Sequence, residues 1–152
     1  MKSLIFTFLM LAIFQSAQAQ KTSDSIAVYA VLEEVFTVCN SASSEGENSD
    51  IINFERLAKY ILYSGNDAAR KNKVPCDYNK TEDRKIVDET GKKIKTWLDS
   101  IENYKLSKYS LKKEGSVDVY GLLLTCKTNA HKKEMSFSFV KMKDNYLLSA
   151  IN

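Results

Sequence analysis

Few side chains in this sequence combine a reactive type with a setting that could use it. Acid–base chemistry in an apolar pocket needs a carboxylate whose burial raises its pKa, with a hydrogen-bond donor nearby to steady a developing oxyanion. Asp118 is the one acidic residue inside a predicted strand and in phase with an apolar face, which it shares with Tyr120, Leu122 and Leu124. If that face lines a cavity, Asp118 with Tyr104 or Tyr120 would make the catalytic pair of a small isomerase or cyclase. An aspartate so near the start of a strand more commonly sits at a solvated rim.

His131 is the single histidine, in a predicted hairpin turn among Asn129, Lys132 and Lys133. Without Cys, Asp or Glu at metal-ligand spacing around it, the sequence implies no metal site. A Ser–His or Cys–His nucleophile pair would depend on this one loop residue. No phosphate-cradling or dinucleotide glycine pattern is present, so no cofactor is expected.

The three cysteines, Cys39, Cys76 and Cys126, cannot all pair within one chain. Cys39 and Cys126 fall on apolar stripes and could simply fill core volume. Cys76 lies in a loop, and a bond from it to Cys126 or Cys39 would add about 2 to 4 kcal/mol. The reading allows no disulfide or one, with Cys76–Cys126 ahead. Tyr29, Tyr60, Tyr63, Tyr104, Tyr109, Tyr120 and Trp97 could line a cavity that stacks on a ring or sugar, with Tyr60, Trp97, Tyr104 and Tyr120 foremost. Core packing is the plainer use of them.

The elements that must position these groups read as helices first and a sheet afterwards. Asp24 or Ser25 can cap a helix running to about Ala42, with Val28, Val31, Leu32, Val35, Phe36 and Cys39 on one stripe. Ser41 to Ser49 is a polar turn, and Asp50 can cap a second helix through Tyr63, with Ile51, Phe54, Leu57, Ala58, Ile61 and Leu62 inward. Thr81 can cap a third, with Glu82 and Asp83 in a first turn that favours acids and Val87, Ile94, Trp97, Leu98 and Ile101 on its apolar side. Gly91 interrupts that helix, as a glycine does where a neighbour packs close. Period-two alternation then predicts strands over 104–112, 117–127, 134–142 and 146–151, joined by short turns into an antiparallel meander. Tyr104 and Leu106 are out of phase with Tyr109 and Leu111, so a bulge near Lys108 is needed to keep one face buried.

Residues 1–19 read as a cleaved export signal: Lys2, an apolar run from Leu4 to Phe14, and Ala17-Gln18-Ala19 at the cleavage site. Gln15 and Gln18 interrupt the run short of the about 20 apolar residues of a membrane span. Residues 20–152 are then one domain, periplasmic or secreted, where disulfides can persist. Residues 21–69 carry three Lys or Arg against eight Asp or Glu, and residues 70–152 carry eighteen against eleven. A basic C-terminal half suits an acidic partner. It also suits lysines that block pairing at exposed strand edges. Export argues against nucleic acid.

Three helices followed by a curved antiparallel meander, closing on Phe137-Ser138-Phe139-Val140-Lys141-Met142-Lys143-Asp144-Asn145-Tyr146-Leu147-Leu148, resemble the nuclear-transport-factor-2-like superfamily. The chain also looks like small exported proteins of Bacteroidetes. The resemblance implies an α+β cone with helices across a bent four-stranded sheet, in a superfamily that contains both enzymes and non-catalytic modules. Lacking a catalytic constellation, the chain is expected to be a non-catalytic binding or interaction module. It would hold a small apolar or glycan ligand in the cone, or pair as a homodimer through the outer sheet face. The alternatives are the Asp118 enzyme and an inhibitor or immunity-type domain whose basic segments Ala130–Lys133 and Lys141–Lys143 engage an acidic protein.

Overall fold

The alternating runs of the C-terminal third form one sheet. In a computed structural model that describes residues 23–40, 53–127 and 132–152, strands β1 (Asn103–Glu114), β2 (Val117–Lys127), β3 (Lys132–Met142) and β4 (Asn145–Ile151) lie in the order β1-β2-β3-β4. Each neighbouring pair is antiparallel. The signal segment 1–19, the polar turn 41–49, the Asp50 cap with Ile51, and His131 with Ala130 lie outside the described residues. The β1–β2 turn uses Gly115 at φ 63°, a backbone region in which glycine has no Cβ to clash.

The bulge that the phase of the tyrosines demands is present. The β1–β2 register slips between Leu106 and Lys108, so Tyr104 faces Cys126 and Tyr109 faces Leu122, both on the inner side. A second slip lies between Ser138 and Phe139, which oppose Ala150 and Leu148 and leave Ser149 as the extra residue. Bulges increase local twist and bend the sheet, which curves it around the helices.

Helix α1 covers residues 23–40, and Val28, Leu32, Val35, Phe36, Val38 and Cys39 are buried along it. Helix α3 (Thr81–Asp99) buries Val87, Ile94, Trp97 and Leu98. Between sheet and helices Phe36 packs on Trp97, Tyr104 and Phe137, with ring centroids 5.6, 5.2 and 5.4 Å away. Gly91 permits the close approach expected of it: a Cβ there would lie 2.8 Å from Leu57 Cδ2 and 2.9 Å from Phe54 Cε1.

The second helix is much shorter than predicted. Helix α2 spans only Phe54–Ala58, capped by the Asn53 side chain, which accepts from the Arg56 amide at 2.9 Å. The chain then becomes extended. Ile61 and Tyr63 point into the main core while Leu62 joins Val140 and Leu147 on the opposite side of the sheet, the period of a strand. The edge of β4 offered backbone partners that a helix could not use. Leu62 N–H donates to Leu148 O (2.9 Å), and Leu148 N–H donates to Tyr60 O (2.8 Å). Tyr63 N–H to Val74 O (3.0 Å) and Cys76 N–H to Ile61 O (2.8 Å) add a further short strip outside it. Part of one sheet edge is thereby covered.

The loop from 63 to 80 is fastened to the start of α3. Lys80, not Thr81, is the capping position, and its side chain makes no cap hydrogen bond. Glu82 and Asp83 have specific partners in this loop. Asp83 is fully buried and accepts from both Arg70 terminal nitrogens and from the Asp77 amide (2.7 Å). Glu82 accepts from the Tyr63 hydroxyl and from the Asn66 amide (2.8 Å), and the Arg70 guanidinium lies 4.1 Å over the Tyr63 ring.

Candidate functional site

Asp118 is exposed. It is the second residue of β2, opposite Lys113 beside the β1–β2 turn, and its carboxylate meets water and not a closed pocket. Tyr104 pairs with Cys126, eight residues further along β2 than Asp118, about 25 Å at strand rise. Its hydroxyl donates to Glu33 of α1 at 3.0 and 3.2 Å. Tyr120 shares the phase of Asp118 but is buried edge-to-face on Tyr146, centroids 5.1 Å apart. The acid–base pair drawn from the sequence is therefore not assembled. In-phase spacing was right, but the inner-phase residues at this end of the hairpin, Leu111, Lys113 and Asp118, are exposed.

The four rings proposed for a ligand divide in the same way. Trp97 and Tyr104 meet at 6.0 Å, with Phe36 and Phe137 filling the space around them. Tyr120 belongs to the separate Tyr146 contact, and Tyr60 lies on the strip beside β4 with the Lys59 ammonium 4.9 Å over its ring. These rings are core and edge packing. Trp97 is 6% exposed, and its indole N–H has no partner among the described residues.

All three cysteines are free and buried. Cys76 sits on the strip against Ile61, while Cys126 Sγ donates to Lys133 O (3.2 Å) at the end of the β2–β3 ladder, so the disulfide favoured from sequence is not formed. Burial pushes the Cys39 thiol up to about 12, against a smaller opposing effect of Lys95. Burial likewise pushes Cys76 up to about 12, helped by Asp83 and opposed by Arg70.

A polar cluster that the sequence reading did not find joins α1 to the last strands. Asp24 was expected as a cap, yet it lies inside α1, 7% exposed. It accepts from the Tyr146 hydroxyl (2.6 Å) and from Lys141 Nζ (3.2 Å). The Tyr109 hydroxyl is buried without a partner among the described residues, and its pKa is pushed up to about 12, chiefly by burial and then by Asp24. One signal pointed here: Asp24, Val28 and Leu32 recur every four residues, which puts the carboxylate on the buried stripe. The Asp24, Tyr146 and Lys141 contacts read as a clasp between α1 and the last two strands.

No known protein family, characterised protein or solved structure matches this chain. The resemblance to the nuclear-transport-factor-2-like superfamily rests on the order of elements and on the closing stretch from Phe137 to Leu148.

The outer face of the sheet carries two depressions among the described residues. The six aromatic residues of the strands, Tyr104, Tyr109, Tyr120, Phe137, Phe139 and Tyr146, are all in the inner phase. The outer face has two halves. Toward β4, Val119, Val140, Met142 and Leu147 form a small apolar cluster onto which Leu62 folds. Toward β1, Lys108, Ser110, Lys112, Gly121, Ser136 and Ser138 line a shallow depression of about 340 Å³. A Cβ at Gly121 would fall 2.5 Å from Ser110 Oγ, so a side chain there would turn that hydroxyl aside. A neighbouring depression of about 400 Å³ includes Val117, Val119 and Val140. Among the described residues no helix is long and apolar enough to cross a membrane, and no group of His, Cys, Asp and Glu is gathered to hold a metal ion.

Proposed function

We propose that this chain is an exported, non-catalytic interaction module that engages another protein through the outer face of its sheet. One observation carries this reading: the inner face is consumed by packing, while on the outer face Val117 is exposed and Val119 and Met142 are half-buried at the margin of a buried apolar cluster, beside a hydroxyl-lined, lysine-rimmed hollow. Monomeric proteins seldom leave apolar groups contiguous on a face without a partner for them. The fastened 63–80 loop and the α1 clasp hold the sheet's shape, which favours recognition without rearrangement.

Photocrosslinking in the producing cell tests it. A photoreactive amino acid in place of Ser138, on the outer face, is expected to capture a discrete protein, which includes a second copy of this chain. The same group in place of Lys92 on the exposed side of α3 is expected not to. Equal labelling from both positions, or none from position 138, would reject the reading.

A further inference from the structure

We infer that the partner presents an acidic, extended polypeptide segment to the lysine row of β1. This deepens the proposed function and rests on the outer face being the interaction surface. After the bulge corrects the phase, Lys105, Lys108 and Lys112 all point outward, opposite Thr125, Leu123 and Val119. They are exposed and span about 20 Å at strand rise. None of them is in an ion pair among the described residues, whereas Arg56, Arg70, Lys95, Lys132 and Lys141 each have a carboxylate. Uncompensated like charges in a row repel one another, and a complementary partner relieves that repulsion.

The row borders a hollow lined by Ser110, Ser136 and Ser138, with Glu114 at its turn end and Asn152 accepting from the Ser136 hydroxyl, so the two ammonium groups of Lys108 and Lys112 and the hydroxyls of Ser110 and Ser138 outnumber its one acidic side chain as donors suited to carboxylates. Protecting a bare strand edge would explain lysines on β1, but it does not call for three of them on one face beside a hydroxyl-lined hollow. A second copy pairing edge to edge along β1 would bring two such rows together, which like charges oppose. The outer phase holds no aromatic residue, so neither a sugar nor a nucleobase finds a ring to stack on. The apolar half around Val119 and Val140 continues the same face and suits hydrophobic side chains of a polypeptide.

The test uses fluorescein-labelled decaglutamate and the purified protein, read by fluorescence polarisation at low and at physiological salt. Saturable, salt-sensitive binding is expected. The triple variant Lys105→Glu, Lys108→Glu, Lys112→Glu should weaken it about tenfold or more, the size expected for several screened ion pairs reversed together. Lys105→Gln, Lys108→Gln, Lys112→Gln should weaken it less. A charge-matched control at exposed positions elsewhere, Lys71→Glu, Lys85→Glu, Lys92→Glu, should stay within about twofold of the parent. Trp97 emission confirms that each variant is folded. The inference is overturned if decaglutamate does not saturate, if the control loses as much as the β1 variant, or if only heparin or phosphatidylglycerol vesicles bind. Crosslinks from position 138 that persist while decaglutamate fails would leave the interaction surface standing and remove the acidic partner alone.

Discussion

The Asp24 carboxylate accepts a 2.6 Å hydrogen bond from the Tyr146 hydroxyl, tying the first described helix to the last strand across 122 positions of sequence. Both groups are buried, and Lys141 approaches the same carboxylate oxygen from β3. Three elements distant in sequence thus share one charged acceptor.

Tyr146→Phe should remove that bond while keeping the ring that packs on Tyr120. Hydrogen bonds to a charged group contribute about 1.5 to 3 kcal/mol, so a loss of that size is expected in urea unfolding. Lys141→Met should cost less, because its ammonium is partly in water. An unchanged midpoint for Tyr146→Phe would show that the clasp adds no stability.

The 63–80 loop should loosen in acid before the sheet does. Burial alone would push the Asp83 carboxyl up, but the Arg70 guanidinium and the Asp77 amide outweigh it and hold it below its ordinary value. Glu82 is lowered too, first by the Tyr63 hydroxyl and then by the Asn66 amide. A carboxylate lowered in the folded state contributes stability above its unfolded pKa, near 4, and that stability is lost as pH falls through the folded value. Amide exchange in residues 66–80 should accelerate below about pH 4 while β2 stays protected. Arg70→Ala should produce the same local opening at neutral pH. Loop and β2 amides losing protection in step would contradict this.

Native thiols should be unreactive. Cys39, Cys76 and Cys126 are buried, and the first two are held as thiols by pKa values pushed up to about 12, whereas the thiolate is the reactive form. Ellman's reagent should detect almost no thiol in the folded protein and three after denaturation without reductant. Detection of only one in denaturant would mean that a disulfide had formed.

Gly91→Ala should destabilise despite the better helix propensity of alanine. That propensity is worth about 1 kcal/mol. Overpacking against the buried Leu57 and against Phe54 works in the other direction by about 1 to 3 kcal/mol. A net loss near 1 kcal/mol in thermal or urea unfolding is expected, and a gain would mean that the α2–α3 contact yields freely.

Alternation of period two and the helical stripes are local patterns that specify much of this architecture. The phase conflict between Tyr104 and Tyr109 located the β1 bulge, because a strand with one buried face tolerates no uncorrected slip. Gly91 and the α1 stripe were legible for the same reason: each is a local pattern read out by nearby packing.

What the chain could not reveal locally was which segments would meet. The stripe through Ile61 and Leu62 suits a helix as well as a strand, and the unpaired edge of β4, more than eighty residues away, settled it as a strand. Asp118 is in phase with a buried face, but whether that face is covered at its position depends on where the helices end. Asp24 looked like a cap until Tyr146 and Lys141 were brought to it. Alternation along a strand is a local property and can be read from sequence, whereas coverage, edge pairing and burial of a charge are relations between distant segments and arise only when the chain has folded.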